Sequence, residues 1–467
     1  MYDAIIIGAG MSGLAAGIRL AHFEKRVCIV ERHTTIGGLN SFYRLRGRNY
    51  DVGLHAVTNY AAKGARRGPM MRLLRQLRLS WDDLALAPQT LSEVVFPGAR
   101  LQFSNDFELF QAEVRRAFPK QQDNLRRLLA ELVDYDDFGC ERGRRSARAV
   151  VGQIIDDPLL VEMLFCPLLF YGSASEHDME FSHFSILFRS IFEEGMGRPR
   201  EGVRRILKKL VRRFKELGGE LRLRAGVRRI AVREGAVEKL VLDDGTELVA
   251  RRVLSSAGWH ETARLCDLAP PGGGPPAGRI TFVESMAVLN RLPRELGHDR
   301  TIVFFNDSPT FDYRVPDDLV DLRSGVICSP NNFVYDLADG DSPSEGLVRM
   351  SALANFDRWA ALSGEDYRLA KLGWYDKMVA SAIRFMPDFR GALVETDMFT
   401  PITVRRYTGH ENGAVYGTPE KRYDGTTHLK NLFLCGNDQG LVGIVGTILS
   451  GITIANRYVL GEMGAST

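Results

Sequence analysis

Short apolar runs that stop at glycine set the pattern of this chain. It begins with Tyr2-Asp3-Ala4-Ile5-Ile6-Ile7, passes through Gly8-Ala9-Gly10-Met11-Ser12-Gly13, and reaches a second run, Val27-Cys28-Ile29-Val30, ending at Glu31. A continuous apolar run of this length, bounded by glycine, predicts a strand buried on both faces of a parallel sheet. The stretch between the runs predicts a helix, so the chain opens strand, turn, helix, strand. Val237 to Leu242 and Thr246 to Val249, joined around Asp243-Asp244-Gly245, predict a hairpin. Val203, Ile206, Leu207, Leu210, Val211, Phe214 and Leu217 share one face at helical spacing, with Arg204, Arg205, Lys208, Lys209, Arg212, Arg213 and Lys215 on the other. That is a basic amphipathic helix.

Other apolar bursts lie in the middle of the chain: residues 159–165, 167–171, 184–188 and Ile191-Phe192. They fit the wall of a tunnel for a long hydrocarbon, and equally the core of a second domain. The run Pro270-Pro271-Gly272-Gly273-Gly274-Pro275-Pro276 predicts a loop, placed at a crossing between domains.

The glycine turn carries the first chemistry. Gly8 allows the tight turn, Gly10 lets backbone approach a pyrophosphate, and Gly13 lets the helix pack close to the strand. The helix N-terminus offers free N–H groups and partial positive charge to phosphates. Glu31 falls where an acidic side chain accepts hydrogen bonds from adenosine ribose hydroxyls, which disfavours a 2′-phosphate and hence NADP. With strand, helix, second strand and acid in order, these residues predict dinucleotide binding.

Glu31-Arg32, followed by Gly37-Gly38, resembles the extended fingerprint of FAD-dependent oxidoreductases of the amine oxidase and phytoene desaturase superfamily. Residues 431–438, ending Cys435-Gly436-Asn437-Asp438, resemble that family's final strand and its flavin-contacting turn. The stretch from Gly440 to Gly451 resembles its closing glycine-rich helix start. Lys215 to Leu221, leading through Val227 to Ser255-Ser256-Ala257-Gly258, is similar to its middle FAD-contacting segment. The resemblance is to the branch with bacterial-type phytoene desaturases and carotenoid isomerases. The chain departs from it at Gly440-Leu441-Val442-Gly443, where a proline-glycine pair is usual, and at Leu39-Asn40, where many relatives carry arginine or serine.

The resemblance implies an α/β fold, a Rossmann-like FAD-binding domain with a discontinuous α+β substrate domain. The FAD domain is expected from residues 1–57, 200–263 and 405–467, and the substrate domain from 58–199 and 264–404. The cofactor set is expected to include Gly8, Gly10, Met11, Ser12, Gly13, Glu31, Arg32, Gly37, Gly38, Leu39, Asn40, Val227 and Gly436. Asp438 would meet a ribityl hydroxyl or a phosphate-bound water, or else cap a helix. Gly446 and Thr447 would open the last helix, with its amides toward the flavin edge that gathers negative charge on reduction. Tyr50-Asp51-Val52-Gly53-Leu54-His55 resembles the segment crossing under the flavin. It makes His55 a candidate proton donor or acceptor, the alternative being a histidine bonded to backbone at a domain junction. Tyr416, in Gly413-Ala414-Val415-Tyr416-Gly417, would flank the ring or stand in the core. No lysine placed like the amine oxidases' flavin-associated lysine is identified.

Composition adds bounds. A chain of 467 residues exceeds what one core supports, so two domains are expected. Hydrophobic content of 45% and a net charge of +3 fit a soluble protein and give no footprint for nucleic acid. Six cysteines without C-x-x-C spacing argue against zinc and against a disulfide framework, and no metal ligand is proposed. The first strand begins at residue 2, leaving no room for a signal peptide, and no apolar run reaches bilayer-spanning length. The expected place is the cytoplasm, with peripheral membrane contact left open through the basic helix. Without a second nucleotide fingerprint, electrons must pass between the substrate and oxygen, a quinone or a redox protein. The function implied is an FAD-dependent oxidoreductase acting on a long apolar isoprenoid or polyene. It would desaturate by hydride transfer to flavin N5, or carry out flavin-assisted isomerisation or saturation. A flavin amine oxidase and a flavin-containing lipid-binding protein without turnover are the alternatives.

Overall fold

The computed structural model describes residues 1–53, 55–132, 145–336 and 343–461, so Leu54 and Cys140 lie outside the described residues. Two large sheets use β1 (Tyr2–Ile7), β2 (Val27–Val30), β3 (Ser92–Phe96), β4 (Ala99–Phe103), β5 (Glu220–Arg222), β6 (Ala250–Ser255), β7 (Phe282–Leu289), β8 (Ile302–Asn306), β9 (Ser324–Cys328), β10 (Gly346–Leu353), β11 (Leu393–Phe399) and β12 (Leu432–Leu434). The helices that bear on the site are α1 (Met11–Ala21), α2 (Pro69–Leu77), α3 (Pro158–Gly172), α4 (Phe181–Phe188), α5 (Val203–Glu216) and α6 (Gly443–Ala455).

The first sheet is parallel throughout, in the order β5-β2-β1-β6-β12. β2 is wholly buried and β1 is buried over its last four residues, as continuous apolar runs in a two-sided sheet require. Strands in this order open a crevice at their carboxyl ends, where a dinucleotide lies across the sheet. α6 crosses α1 so closely that a Cβ on Gly451 would stand 2.0 Å from the Ser12 carbonyl oxygen. One expectation is corrected here. α6 runs on through a π turn, giving an 18-residue helix from Gly443 to Leu460 with mean hydropathy 1.3, long and apolar enough to cross a membrane. Its Thr and Ser residues break the apolar run in sequence without stopping the helix. Most of it is buried, in the nucleotide-domain core against α1.

A second correction concerns the boundary placed at residue 58. α2 packs on α1 and α6, and Met70, Leu73, Leu74 and Leu77 join the nucleotide-domain core. The predicted hairpin forms as Ala236–Leu242 against Glu247–Leu248, with Val227–Arg233 as a third strand. α5 buries Val203, Ile206, Leu207, Leu210 and Phe214, so the apolar face of the basic helix is already covered. Part of its basic face is engaged too: Lys209 Nζ is 2.6 Å from Asp83, and Arg205 donates to the carbonyls of Asp82 and Asp83.

The second sheet runs β11-β7-β10-β9-β8-β3-β4, antiparallel except between β8 and β3. α3 packs on its β3 and β8 strands and α4 packs on α3, with Leu160, Leu164, Phe165, Phe184 and Phe188 in one core with the sheet's Val94, Phe103 and Phe304. The apolar bursts are therefore this domain's own core, and from α3 only Phe170 and Tyr171 reach the cavity described next.

Candidate functional site

A cleft of about 390 Å³ opens at the carboxyl ends of the parallel strands. Gly8, Gly10, Met11, Ser12, Glu31, Arg32, Gly37, Gly38, Leu39, Asn40, Val227, Gly436, Asp438 and Thr447 all line it. Whether a dinucleotide fits is decided at Gly10. A Cβ added there would meet no protein atom within 4 Å and would project into the cleft, so the missing side chain is space kept for a ligand. Gly13 is different: its Cβ would stand 2.1 Å from the Gly8 carbonyl oxygen, and it does not line the cleft. It works by letting α1 start close to β1.

Glu31 is held on one side by backbone. Oε2 accepts from Ala9 N–H and Oε1 from His33 N–H, both at 2.9 Å, which fixes the carboxylate at the cleft wall. Asp438 is committed to more partners than a helix cap requires. Its carboxylate accepts from the backbone N–H of Trp259 at 2.5 Å and of Thr418 at 2.9 Å. Lys421 Nζ lies 3.5 Å from it and donates to the Tyr416 carbonyl at 2.7 Å. Burial pushes the Lys421 ammonium below its ordinary range, and Asp438 only partly restores it. Asp438 thus ties three segments together at the cleft floor. No sequence pattern marked Lys421, because only packing brings it there.

The last helix is also corrected. It opens at Gly443, one turn earlier than Gly446, so its free amides belong to the residues just after Val442. Gly446 does not line the cleft, whereas Thr447 does, its hydroxyl donating to the Gly443 carbonyl at 2.7 Å. His410 and Glu261, which the sequence did not single out, line the cleft as a pair with Nδ1 3.6 Å from Oε1. Burial lowers the His410 pKa, but Glu261 outweighs it and the net direction is upward.

Leu39, Asn40, Asn437 and Thr447 also line a second cavity of about 170 Å³, so the two spaces adjoin. Its walls are mostly apolar: Phe170, Tyr171, Phe282, Val415, Tyr416 and Ile444. One row across the second sheet forms its floor. Phe399 on β11 pairs Glu284 on β7, Glu284 pairs Ser351 on β10, and Ser351 pairs Val326 on β9. All four line the cavity.

His55 enters from the other side. Its Nε2 lies 3.2 and 3.3 Å from the two Glu284 carboxylate oxygens and 3.0 Å from Ser351 Oγ. Arg349 donates to Glu284 Oε1 through Nε at 2.7 Å, and its Nη2 lies 2.6 Å from the same oxygen. Burial would raise the Glu284 pKa, but Arg349, His55 and Ser351 together hold it at about 2. Tyr416 contributes its ring, edge-on to Phe282 at 6.0 Å. Its hydroxyl donates to the Phe170 carbonyl, and burial raises its pKa.

Residues 11–271 match the family model for flavin containing amine oxidoreductase. Among curated proteins, the chain is 21% identical to prolycopene isomerase 2, chloroplastic, of an Oncidium hybrid cultivar, covering 99% of this chain and 84% of that one. It is 23% identical to all-trans-retinol 13,14-reductase of Danio rerio, over 97% and 85% respectively. It is 28% identical to the neurosporene-forming phytoene desaturase of Rhodobacter capsulatus, over 57% and 54%. Among solved structures, putrescine oxidase bound to putrescine superposes with a TM-score of 0.65 at 16% identity, covering 99% of each chain. That likeness shows a shared fold.

Proposed function

From the premise that this chain belongs to the flavin-containing amine oxidoreductase family and is an FAD-dependent oxidoreductase, we propose that it acts on an apolar polyene or isoprenoid. The cofactor, when bound, supplies a hydride acceptor or donor at flavin N5. Gly8, Gly10 and the start of α1 would hold its pyrophosphate, Glu31 its adenosine ribose, and the N-terminus of α6 the far edge of its ring.

One observation carries the substrate reading. The cavity beside the cleft is walled by aromatic and aliphatic side chains, with the His55 imidazole set among them. Glu284 is held ionised by Arg349, and the phenol of Tyr416 is engaged with backbone. Phe282, Tyr416 and Phe170 orient an apolar chain and exclude water, and His55 moves the proton that accompanies each hydride. Names of relatives that act on polyenes or retinoids support this reading.

We further propose a cytoplasmic enzyme that meets its lipid at a membrane surface. Lys208, Arg212 and Lys215, the exposed part of the α5 basic face, would draw it to anionic headgroups. Oxygen, a quinone or a redox protein would exchange electrons with it. Product analysis tests the reading: holoenzyme incubated with liposomal polyenes should return one with a double bond gained, lost or changed in geometry. An unchanged polyene pool beside oxidised amines would make it an amine oxidase, and no product from either would make it a lipid binder.

A further inference from the structure

We propose that Glu284, Ser351 and Arg349 form a positioning set that fixes the His55 imidazole as its Nε2–H tautomer. Nδ1 is then left as the atom that trades a proton with the substrate, a role that rests on the function proposed above. Glu284 and Ser351 are directly opposite on neighbouring antiparallel strands, and Arg349 lies two residues before Ser351, hence on the same face of the sheet. Three polar side chains therefore converge beneath one imidazole. The side chains of Glu284, Arg349 and His55 are 6%, 1% and 11% exposed.

The tautomer follows from the hydrogen-bond count. The Ser351 hydroxyl donates to Glu284 Oε2. Its remaining capacity toward His55 is that of an acceptor, and a carboxylate held ionised by Arg349 is acceptor only. Nε2 thus faces three oxygens that can only accept, so it must carry the hydrogen. In the neutral ring Nδ1 is then a base, and in the charged ring it is the acid.

The proton step balances with the hydride. In saturation, the Nδ1 proton would go to one alkene carbon, leaving neutral imidazole, while the neighbouring carbon would take the hydride that a bound reduced flavin supplies. In desaturation, Nδ1 would take the substrate's proton, and the hydride would leave to a bound oxidised flavin. The surroundings add little opposing charge. Arg198 donates to the His55 carbonyl at 3.0 Å and is itself paired with Asp51 at 2.5 Å, while Cys328 Sγ lies 3.8 Å from that carbonyl. Across the cavity stand the neutral phenols of Tyr171 and Tyr416. The nearest net influence on the ring is the Glu284 carboxylate.

The test is histidine side-chain NMR of ¹⁵N-labelled holoprotein, with the His55 signal identified by its loss in His55→Gln. Wild type should show the Nε2–H tautomer, and Glu284→Gln, which sets a donating amide beside Nε2, should populate the Nδ1–H tautomer. Ser351→Ala keeps the ion pair, so it should fold even where Glu284→Gln does not, and should increase ring mobility while keeping the Nε2–H tautomer. An Nδ1–H tautomer in wild type would overturn the proposal without any variant. So would an unchanged tautomer in folded Glu284→Gln. Neither readout involves substrate, so failure of the polyene reading would leave this result standing and be seen separately.

Discussion

His55 Nε2 lies 3.2 Å from Glu284 Oε1, although the two residues are 229 positions apart in the sequence. A buried carboxylate and imidazole in an otherwise apolar wall are costly, by several kcal/mol per ion before their mutual attraction is counted. The antiparallel register that brings Ser351 opposite Glu284, and Arg349 along the same face, offsets that cost. The proton function proposed for the cavity therefore depends on a sheet whose strands lie far from the nucleotide fingerprint in sequence.

His55→Gln should lower polyene turnover by about 10²–10⁴-fold, the usual contribution of a positioned acid or base. FAD content should be unchanged, because His55 does not line the cofactor cleft. Steady-state kinetics beside the flavin absorbance of the purified variant checks both statements. Equal turnover in variant and wild type would remove His55 from the mechanism.

Tyr416→Phe makes the opposite prediction. The hydroxyl is bonded to the Phe170 carbonyl, and the ring is what faces the cavity. Turnover should stay within about threefold, while thermal stability falls by the ~1 kcal/mol of one hydrogen bond. A hundredfold loss of turnover would assign the phenol a part in the chemistry.

Gly10→Val should separate binding from folding. The new side chain projects into the cleft with no protein atom within 4 Å of its Cβ, so the apoprotein should fold and melt as wild type does. FAD affinity should fall by about 10–100-fold, the effect of ~1–3 kcal/mol of steric conflict. Gly13→Val puts its Cβ 2.1 Å from the Gly8 carbonyl oxygen and should destabilise the apoprotein itself. Isothermal titration with FAD and apoprotein melting curves distinguish the two.

His183 predicts an acid-sensitive core. Burial, with help from the Lys421 charge, pushes its pKa from 6.5 to about 3, and its Nε2 is buried without a partner. The unfolded chain binds a proton between those values that the folded chain does not. Stability is therefore complete above pH 6.5 and falls as pH drops toward 3. Between pH 7.5 and pH 5, His183→Leu should lose about 2 kcal/mol less unfolding free energy than wild type. Denaturant unfolding at the two pH values measures the difference, and parallel losses would contradict the prediction.

The residues legible in the sequence are those whose position is set within one local unit. Gly8, Gly10, Gly13 and Glu31 fall into place because strand, turn, helix and strand leave one arrangement for them. Glu284, Ser351, Arg349 and Lys421 carry no such mark. A charged residue on an alternating strand reads as solvent-facing, and only the register of β7 against β10 turns it toward a cavity. Glycines at both Gly443 and Gly446 satisfy the pattern of a helix start, and only the structure chooses the earlier one. Nothing local tells which of two cores takes an amphipathic helix such as α2.

The central claim is that the cavity beside the FAD cleft serves an apolar polyene, and an anaerobic flavin spectrum tests it most directly. Holoprotein, first oxidised and then chemically reduced, is mixed with liposomes carrying individual polyenes, and separately with primary amines. The account predicts that one polyene bleaches the oxidised flavin or restores colour to the reduced flavin, while the amines do neither. Bleaching by an amine with no response to any polyene would contradict it.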